Sequence, residues 1–161
     1  MKFLLTVLLS SSMLFAASEK LIIDAKNFET NDAKGITVFT GNVKLKKAKD
    51  KLNSQKLEIY MKKNSKGKAR QPLKYVATGD ANFEIHSNGK IYKGEGNQII
   101  YNPNKQEYTV NGNGHVKELT EERELFGEKI YINQLTGNAK VSGSKNKPVR
   151  FIINIERKDK K

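Results

Sequence analysis

From residue 20 onward, apolar and polar side chains alternate with a period of two residues rather than the 3.6 of a helix. The segments Ala81–Ile85 and Val149–Ile155 show this alternation most clearly. It is typical of β-strands with one face against a core and the other in water. Turn-forming residues such as Asn88-Gly89, which suit a tight hairpin, interrupt the pattern about every ten residues. The pattern predicts an all-β chain, although Glu118–Leu125 fits either a helix or a strand end followed by a loop.

A short motif recurs four times along the chain: Gly, then Asn or Asp, a small residue, any residue, and an apolar residue. Its copies are Gly41–Leu45, Gly79–Phe83, Gly112–Val116 and Gly137–Val141. Positions two apart share a face of a strand, so each glycine is expected on the apolar face, where it leaves a gap for an opposite sheet or a ligand. A second half-motif, a small residue followed three positions later by an apolar one, precedes each copy: Ala25/Phe28, Ser54/Leu57, Gly96/Ile99 and Gly127/Ile130. Each repeat is therefore interpreted as two strands joined by a turn.

The N-terminus has the parts of a secretory signal peptide. Lys2 is followed by the largely apolar run Phe3–Phe15 and then by the small residues Ala16 and Ala17. The run is shorter than the ~20 apolar residues that a transmembrane helix needs. We predict that residues 1–17 are removed and that the mature protein is exported. An uncleaved membrane anchor is the alternative.

The remaining residues, 18–161, are expected to form a single domain. Two-strand units cannot bury an apolar face alone, so they must stack or fold over into two facing sheets. Strands of ~6–8 residues would divide roughly 144 residues into about 12–16 antiparallel strands. We expect an elongated slab or open jelly roll whose interior is lined by every second residue. Residues 142–161 hold a strand pattern and a basic end, and the sequence leaves open whether they belong to the slab.

The composition removes several classes of function. There is no cysteine, which excludes a disulfide framework, thiol catalysis and thiolate metal sites. The two histidines, His86 and His115, are too few for a His-rich metal site. No Ser, His and Asp stand in the context of a nucleophile elbow. We therefore expect no enzyme activity and no cofactor.

Lys and Arg outnumber Asp and Glu by 30 to 17, which gives a formal net charge of +13. The cations are spread along all the predicted strands and export would remove nucleic acid as a partner, so nucleic-acid binding is not expected. Most lysines are interpreted as solvated surface. The functional alternative is attraction to anionic lipid head groups, for which Lys44, Lys46 and Lys47 are the candidates. The basic loop Lys62–Arg70 is interpreted as a solvated hairpin end.

The chain resembles the OstA-like family. The resemblance is carried by Ile23–Ala25, Val38–Val43, Tyr75–Phe83 and the later Gly-Asn repeats, and it spans residues 20–142. The block Phe39–Val43 is its most specific stretch. Within the family, the chain is most similar to the small periplasmic bridge component of the lipopolysaccharide transport system.

This resemblance implies a twisted β-jelly-roll slab whose apolar interior cradles the acyl chains of lipopolysaccharide. It also implies head-to-tail stacking into a filament that joins the inner and outer membranes, without catalysis in this component. The implied partners are lipopolysaccharide through its lipid A, the inner-membrane and outer-membrane OstA-like components, and further copies of the chain. The alternatives are an inner-membrane-tethered relative and an exported filament or adhesin subunit that carries no lipid.

Strand parity and the resemblance together predict which residues face the interior. A bulge of one residue would exchange the two faces of a strand, so the assignment depends on an unbroken register. A simple closed core would use the same residues. The residues predicted to line a lipid-binding groove are Leu21, Ile23, Phe39, Val43, Leu45, Phe83, Ile85, Ile99, Tyr101, Val110, Ile130 and Ile132.

Overall fold

The computed structural model describes residues 19–62 and 71–157, so the predicted signal peptide and residues 63–70 of the predicted basic loop lie outside the described part. The described residues contain no helix long and apolar enough to cross a membrane. They form ten β-strands: β1 (Leu21–Asp24), β2 (Asn27–Asn31), β3 (Ile36–Lys47), β4 (Asp50–Met61), β5 (Pro72–Ser87), β6 (Lys90–Asn102), β7 (Glu107–Glu118), β8 (Arg123–Asn133), β9 (Ala139–Ser142) and β10 (Arg150–Ile152). The all-β prediction is confirmed, and Glu118–Leu125 is a strand end, a turn and the start of the next strand.

All ten strands belong to one antiparallel sheet. Strands β3 to β8 are hydrogen-bonded in chain order as a meander. At one edge, β1 pairs with residues 44–47 of β3 and β2 with residues 36–40. At the other edge, β10 pairs with residues 124–126 of β8 and β9 with residues 129–132. Each edge of the sheet is therefore completed by two short strands.

Strands β3, β5 and β7 each bend at a Gly-Asx pair in which both residues have positive φ. The φ angles are 84° and 49° at Gly41-Asn42, 82° and 46° at Gly79-Asp80, and 74° and 50° at Gly112-Asn113. Gly, Asn and Asp are the residues that adopt this left-handed backbone most readily. At each bend the register with the neighbouring strands shifts, because the Gly-Asx strand contains one residue more than its partner. Each bend is thus a β-bulge.

The expectation that these glycines leave a gap on the apolar face is wrong. A Cβ on Gly41 would lie 2.8 Å from the Cβ of Lys26, and one on Gly79 would lie 3.0 Å from the Cβ of Gln55. Both neighbours are exposed polar side chains, so the glycines face outward at the bend. The inner face is occupied instead by a later residue of the motif, such as Ala81, which is 1% exposed. The glycine serves backbone conformation rather than ligand access.

The bends lie side by side across the sheet and fold it into two layers that face each other. Layer A contains β1, β10 and residues 43–47, 50–54, 81–87, 90–96, 114–118 and 123–127. Layer B contains β2, β9 and residues 36–40, 56–61, 72–78, 98–102, 107–111 and 129–133. The open jelly-roll class is confirmed.

The number of strands needs one correction. Six long strands contribute an arm to each layer and four short strands contribute one arm each, so the described residues form sixteen arms but ten strands. The predicted 12–16 strands correspond to the arms in number, but the arms are shorter, with 3–7 residues. The sequence pattern predicts each arm as a separate strand because it does not reveal that hydrogen bonding continues through each bend.

The fourth copy of the motif, Gly137–Val141, differs from the other three. Gly137 has a φ of 71° but stands in the turn between β8 and β9, where its N–H donates to the carbonyl of Asn133. Residues 143–149 then interrupt the edge strand, with a bridge between Ser144 and Lys147, before β10 pairs with β8. At least part of the segment 142–161 therefore belongs to the sheet.

Replacing Gly41 by Ala should destabilise the fold more than replacing Gly89 by Ala. The φ angles are +84° and +74°, so both alanines bear a left-handed backbone penalty of about 1–2 kcal/mol. Nothing lies within 4 Å of a Cβ on Gly89, whereas a Cβ on Gly41 would meet the Lys26 side chain. Urea denaturation should show the larger loss in the free energy of unfolding for Gly41→Ala. Equal losses would mean that the bend tolerates a side chain.

Candidate functional site

Close to the bends, the two layers pack into a closed region that we call the apex core. Its side chains come from both layers and each lies within a few residues of a bend. Full burial of such an aliphatic side chain stabilises the fold by about 1.5–3 kcal/mol. The largest of its fully buried side chains, each no more than 2% exposed, are Val43, Leu57, Ile99, Val110 and Ile130.

Farther from the bends, the layers enclose a small cavity of about 130 Å³ on the β1 side, partly open to solvent. Its wall is mainly apolar and aromatic, while charged residues of the β3–β4 turn stand at its rim. The wall includes Leu45, Leu52 and Phe83 of layer A and Tyr75, Tyr101 and Tyr108 of layer B. The rim includes Lys47, Asp50 and Lys51.

A larger cavity of about 490 Å³ lies between the layers on the β10 side and is also partly open. Apolar side chains of both layers form its wall, and Phe151 of β10 reaches it from the sheet edge. Its rim is polar. The apolar wall includes Ile85, Val116 and Leu125 of layer A and Ile132 of layer B, and the rim includes Lys90, Glu118, Arg123 and Asn133. We refer to the two cavities together as the groove.

All twelve residues predicted to face the interior lie on the inner faces of the layers, but they divide into two groups. Seven line a cavity, although Ile99 also belongs to the apex core: Leu21, Leu45, Phe83, Ile85, Ile99, Tyr101 and Ile132. Five line neither of these cavities and pack into or against the core: Ile23, Phe39, Val43, Val110 and Ile130. A role in lipid binding stays a prediction for all twelve. The second group holds the layers together.

Leu52 and Tyr75 also line the small cavity, although strand parity did not predict them there. Leu52 lies on the inner face of β4 opposite Leu45, and Tyr75 lies on the inner face of β5 beside Tyr101. In β4 the buried residues Ser54 and Leu57 are three apart, so the residues that face inward change from even-numbered to odd-numbered positions at the bend. A small residue followed three positions later by an apolar one was the available signal for this change of face.

The lysines proposed for head-group contact do not share a face. Val43 and Leu45 point inward, so Lys44 and Lys46 of the same strand point to the outer surface of layer A. Head-group contact stays a prediction for all three lysines. Lys47 does reach the rim of the small cavity, where its Nζ lies 3.6 Å from a carboxylate oxygen of Glu19.

Three tyrosines form a ladder across β5, β6 and β7 on the inner face of layer B. The ring centroids of Tyr75 and Tyr101 are 6.0 Å apart, and those of Tyr101 and Tyr108 are 4.3 Å apart and stacked. Burial raises the pKa of Tyr108, and the neighbouring Tyr101 raises it further. The hydroxyl therefore stays neutral, and the ladder offers flat apolar surface to the groove without charge.

The rim of the larger cavity is held by ionic contacts around Glu118, which is 5% exposed. Its carboxylate accepts hydrogen bonds from the backbone N–H of Thr120 at 2.8 Å and of Glu121 at 3.0 Å. The guanidinium of Arg123 lies 3.6 Å from Glu118 and 2.7 Å from Glu121, and Lys90 lies 2.7 Å from Glu121. The charges at this rim therefore largely compensate one another.

Both histidines lie outside the groove. The Nε2 of His86 is 3.0 Å from Glu84, while the ring nitrogens of His115 lie 3.3 Å from Glu95 and 2.9 Å from Glu124. The hydrogen bond from His86 holds the pKa of Glu84 below its usual value. Within residues 19–62 and 71–157, no group of three or more His, Asp or Glu is arranged to hold a metal ion.

Residues 22–138 match the protein family described as LptA/(LptD N-terminal domain) LPS transport protein. The chain belongs to this family. The match runs from β1 to the turn before β9, so it includes β2 to β8 and most of the residues that line the groove. The resemblance to the OstA-like family is thereby confirmed.

A solved structure has the same LptA-like fold. It is the crystal structure of LptH from Pseudomonas aeruginosa, described as the LptA homologous periplasmic component of the conserved lipopolysaccharide transport device. The TM-score is 0.71, with 85% of this chain and 96% of that chain covered at 17% sequence identity. Comparison with curated protein sequences gave no match. The family is described as one of transport proteins.

Replacing Glu118 by Gln should destabilise the turn that forms the rim of the larger cavity. Burial alone would raise the pKa of Glu118, but the N–H groups of Thr120 and Glu121 outweigh it and hold the pKa below 4.5. We expect a loss of about 1–3 kcal/mol in the free energy of unfolding at pH 7. The pKa of Glu118 is lower in the folded state than in the unfolded state. The stability that its charge contributes is therefore present above about pH 4.5 and is lost as the pH falls through the pKa of the folded state.

Urea denaturation at pH 7 and pH 3 measures this effect, and the difference between wild type and variant should shrink at pH 3. The control is Glu121→Gln on the same turn, whose exposed ion pairs should contribute less than about 1 kcal/mol. A deficit in Glu118→Gln that is independent of pH would contradict the role of its charge.

Proposed function

We propose that the protein is a periplasmic carrier of lipopolysaccharide that holds acyl chains in the groove between its layers. The observation that carries this proposal is the groove itself, which is apolar inside, partly open and built into a chain of a lipopolysaccharide-transport family. The predicted signal peptide supports a periplasmic location. On this proposal, the cargo moves from the inner to the outer membrane.

The energetics suit an amphipathic cargo. Each CH₂ group that leaves water for an apolar environment contributes about 0.8 kcal/mol, so a few methylene groups in the groove give measurable affinity. The phosphorylated end of lipid A would remain outside, where Lys47 and Lys51 stand at the rim of the small cavity. Because the acyl chains would be only partly buried, the affinity stays modest, and a carrier needs modest affinity in order to release its cargo.

Replacing Leu21 by Glu should weaken lipid A binding, because a charge would then stand in the wall of the small cavity. The matched control is Ile22→Glu. Leu21 and Ile22 are neighbours on β1 with exposures of 42% and 50%, but Leu21 lines the cavity and Ile22 points to the opposite face. We expect at least a tenfold loss of affinity for Leu21→Glu and less than a threefold loss for Ile22→Glu, measured with purified lipid A on monomeric protein.

The outcomes of this comparison separate the candidate functions. Equal lipid A affinity of the two variants would contradict lipid binding in the small cavity. No binding by the wild type would favour a filament or adhesin subunit without lipid cargo. Mass spectrometry of the purified mature protein adds a test of location, because it reports cleavage after residue 17 together with any lipid that co-purifies. An intact N-terminus would favour the membrane-tethered relative.

We further propose that copies of the protein join head to tail and, with inner-membrane and outer-membrane components, form a bridge. The two sheet edges support this proposal because both carry exposed apolar side chains. Leu21, Ile22 and Phe28 on the β1–β2 edge and Phe151 and Ile152 on β10 are all between 41% and 62% exposed. Strand addition between unlike edges would align the grooves, and because the contact does not close on itself it produces a filament.

The assembly should appear as a concentration-dependent ladder of species in light scattering from low to high micromolar protein. A strictly monomeric protein over this range would contradict self-assembly. Removal of residues 143–161 locates the contact, with circular dichroism as the check that the sheet remains. Loss of the ladder would assign the joining edge to β10, whereas a persistent ladder would assign it to β9.

A further inference from the structure

The two cavities of the groove meet beside an aromatic contact. They share three lining residues, Phe83, Ile85 and Tyr108. Phe83 belongs to layer A and Tyr108 to layer B, and their ring centroids are 5.7 Å apart. The contact therefore spans the groove from one layer to the other and separates the β1 side from the β10 side.

Each ring is held by its own layer. Phe83 is 5% exposed and its ring covers Gly94 of the adjacent strand, where an added Cβ would lie 2.3 Å from the ring. The absence of a side chain at Gly94 is what allows the ring to lie across the sheet. Tyr108 is stacked on Tyr101, with a centroid distance of 4.3 Å and an interplanar angle of 20°.

The volumes of the two cavities indicate why the contact between Phe83 and Tyr108 matters. Pockets for small organic ligands are usually ~300–1,000 Å³. The cavity on the β10 side, about 490 Å³, falls in this range, whereas the cavity on the β1 side, about 130 Å³, does not. A long acyl chain that entered on the β1 side would therefore have to extend past Phe83 and Tyr108.

We propose that Phe83 and Tyr108 form an aromatic partition that divides the groove into two lipid subsites, and that an acyl chain passes between them when the two rings separate. This inference rests on the proposed function, because it assumes that the groove receives acyl chains. It adds an internal step to transport: a lipid that has filled one subsite waits for the partition to open before it reaches the other.

The natural chain has no cysteine, so single cysteines can carry a fluorophore that reports the polarity of each subsite. Lys47→Cys labels the rim of the small cavity and Ala139→Cys labels the wall of the larger one, and both positions are exposed. Purified lipid A is mixed with each labelled protein in a stopped-flow instrument. With the partition intact, we expect the two labels to respond at rates that differ at least threefold.

Phe83→Leu and Tyr108→Leu remove one ring each and should bring the two rates to within about 1.5-fold of each other. Tyr108→Phe keeps the ring and should preserve the difference. Phe39→Leu is the control for loss of an aromatic ring elsewhere, since Phe39 packs on Phe28 and lines neither cavity. Circular dichroism verifies folding, and either leucine variant alone is sufficient for the test.

Equal rates in the wild type would overturn the partition, and so would a rate difference that survives in a folded Phe83→Leu or Tyr108→Leu protein. If the two rates also become equal in Phe39→Leu, the partition is contradicted, because loss of any aromatic ring from the interior would then have the same effect. If neither label responds to lipid A in the wild type, the proposed function itself fails. The two failures are therefore distinguishable.

Discussion

The structure depends on three Gly-Asx pairs that stand side by side in one continuous sheet. At each pair two consecutive residues adopt left-handed backbone, and the strand takes in one extra residue relative to its neighbour. This combination bends the strand without ending its hydrogen-bonded ladder. A sheet that would otherwise expose one apolar face to water is thereby folded onto itself, and both halves of that face are buried against each other.

The same bends set the gradient of packing along the groove. Beside them the layers are close enough for Leu57, Val110 and Ile130 to be completely buried, so this region holds the fold together. Elsewhere between the layers, side chains of the same alternation line the two cavities instead of filling a core. One alternating pattern therefore yields both the apex core and the walls of the groove.

The two edges of the sheet are unlike each other, which gives the slab a direction. One edge consists of β1 and β2, the first strands of the described chain, and the other of β9 and β10, which residues 143–149 separate. Both edges expose apolar side chains. An edge strand can be completed by another strand, so the direction of the slab sets the direction of any assembly.

The sequence by itself determined the all-β class, the repeat, the family and the inward parity of the twelve residues, because period-two alternation and Gly-Asx pairs are local signals. It did not determine which of those residues line a cavity. Val43 and Leu45 occupy equivalent positions in the alternation, yet the first is core and the second lines the groove, because the layers enclose open space beside Leu45 but not beside Val43. Only the tertiary structure decided this, and only it brought Phe83 and Tyr108 together, since contact between facing layers depends on how far the sheet folds and leaves no trace in local spacing.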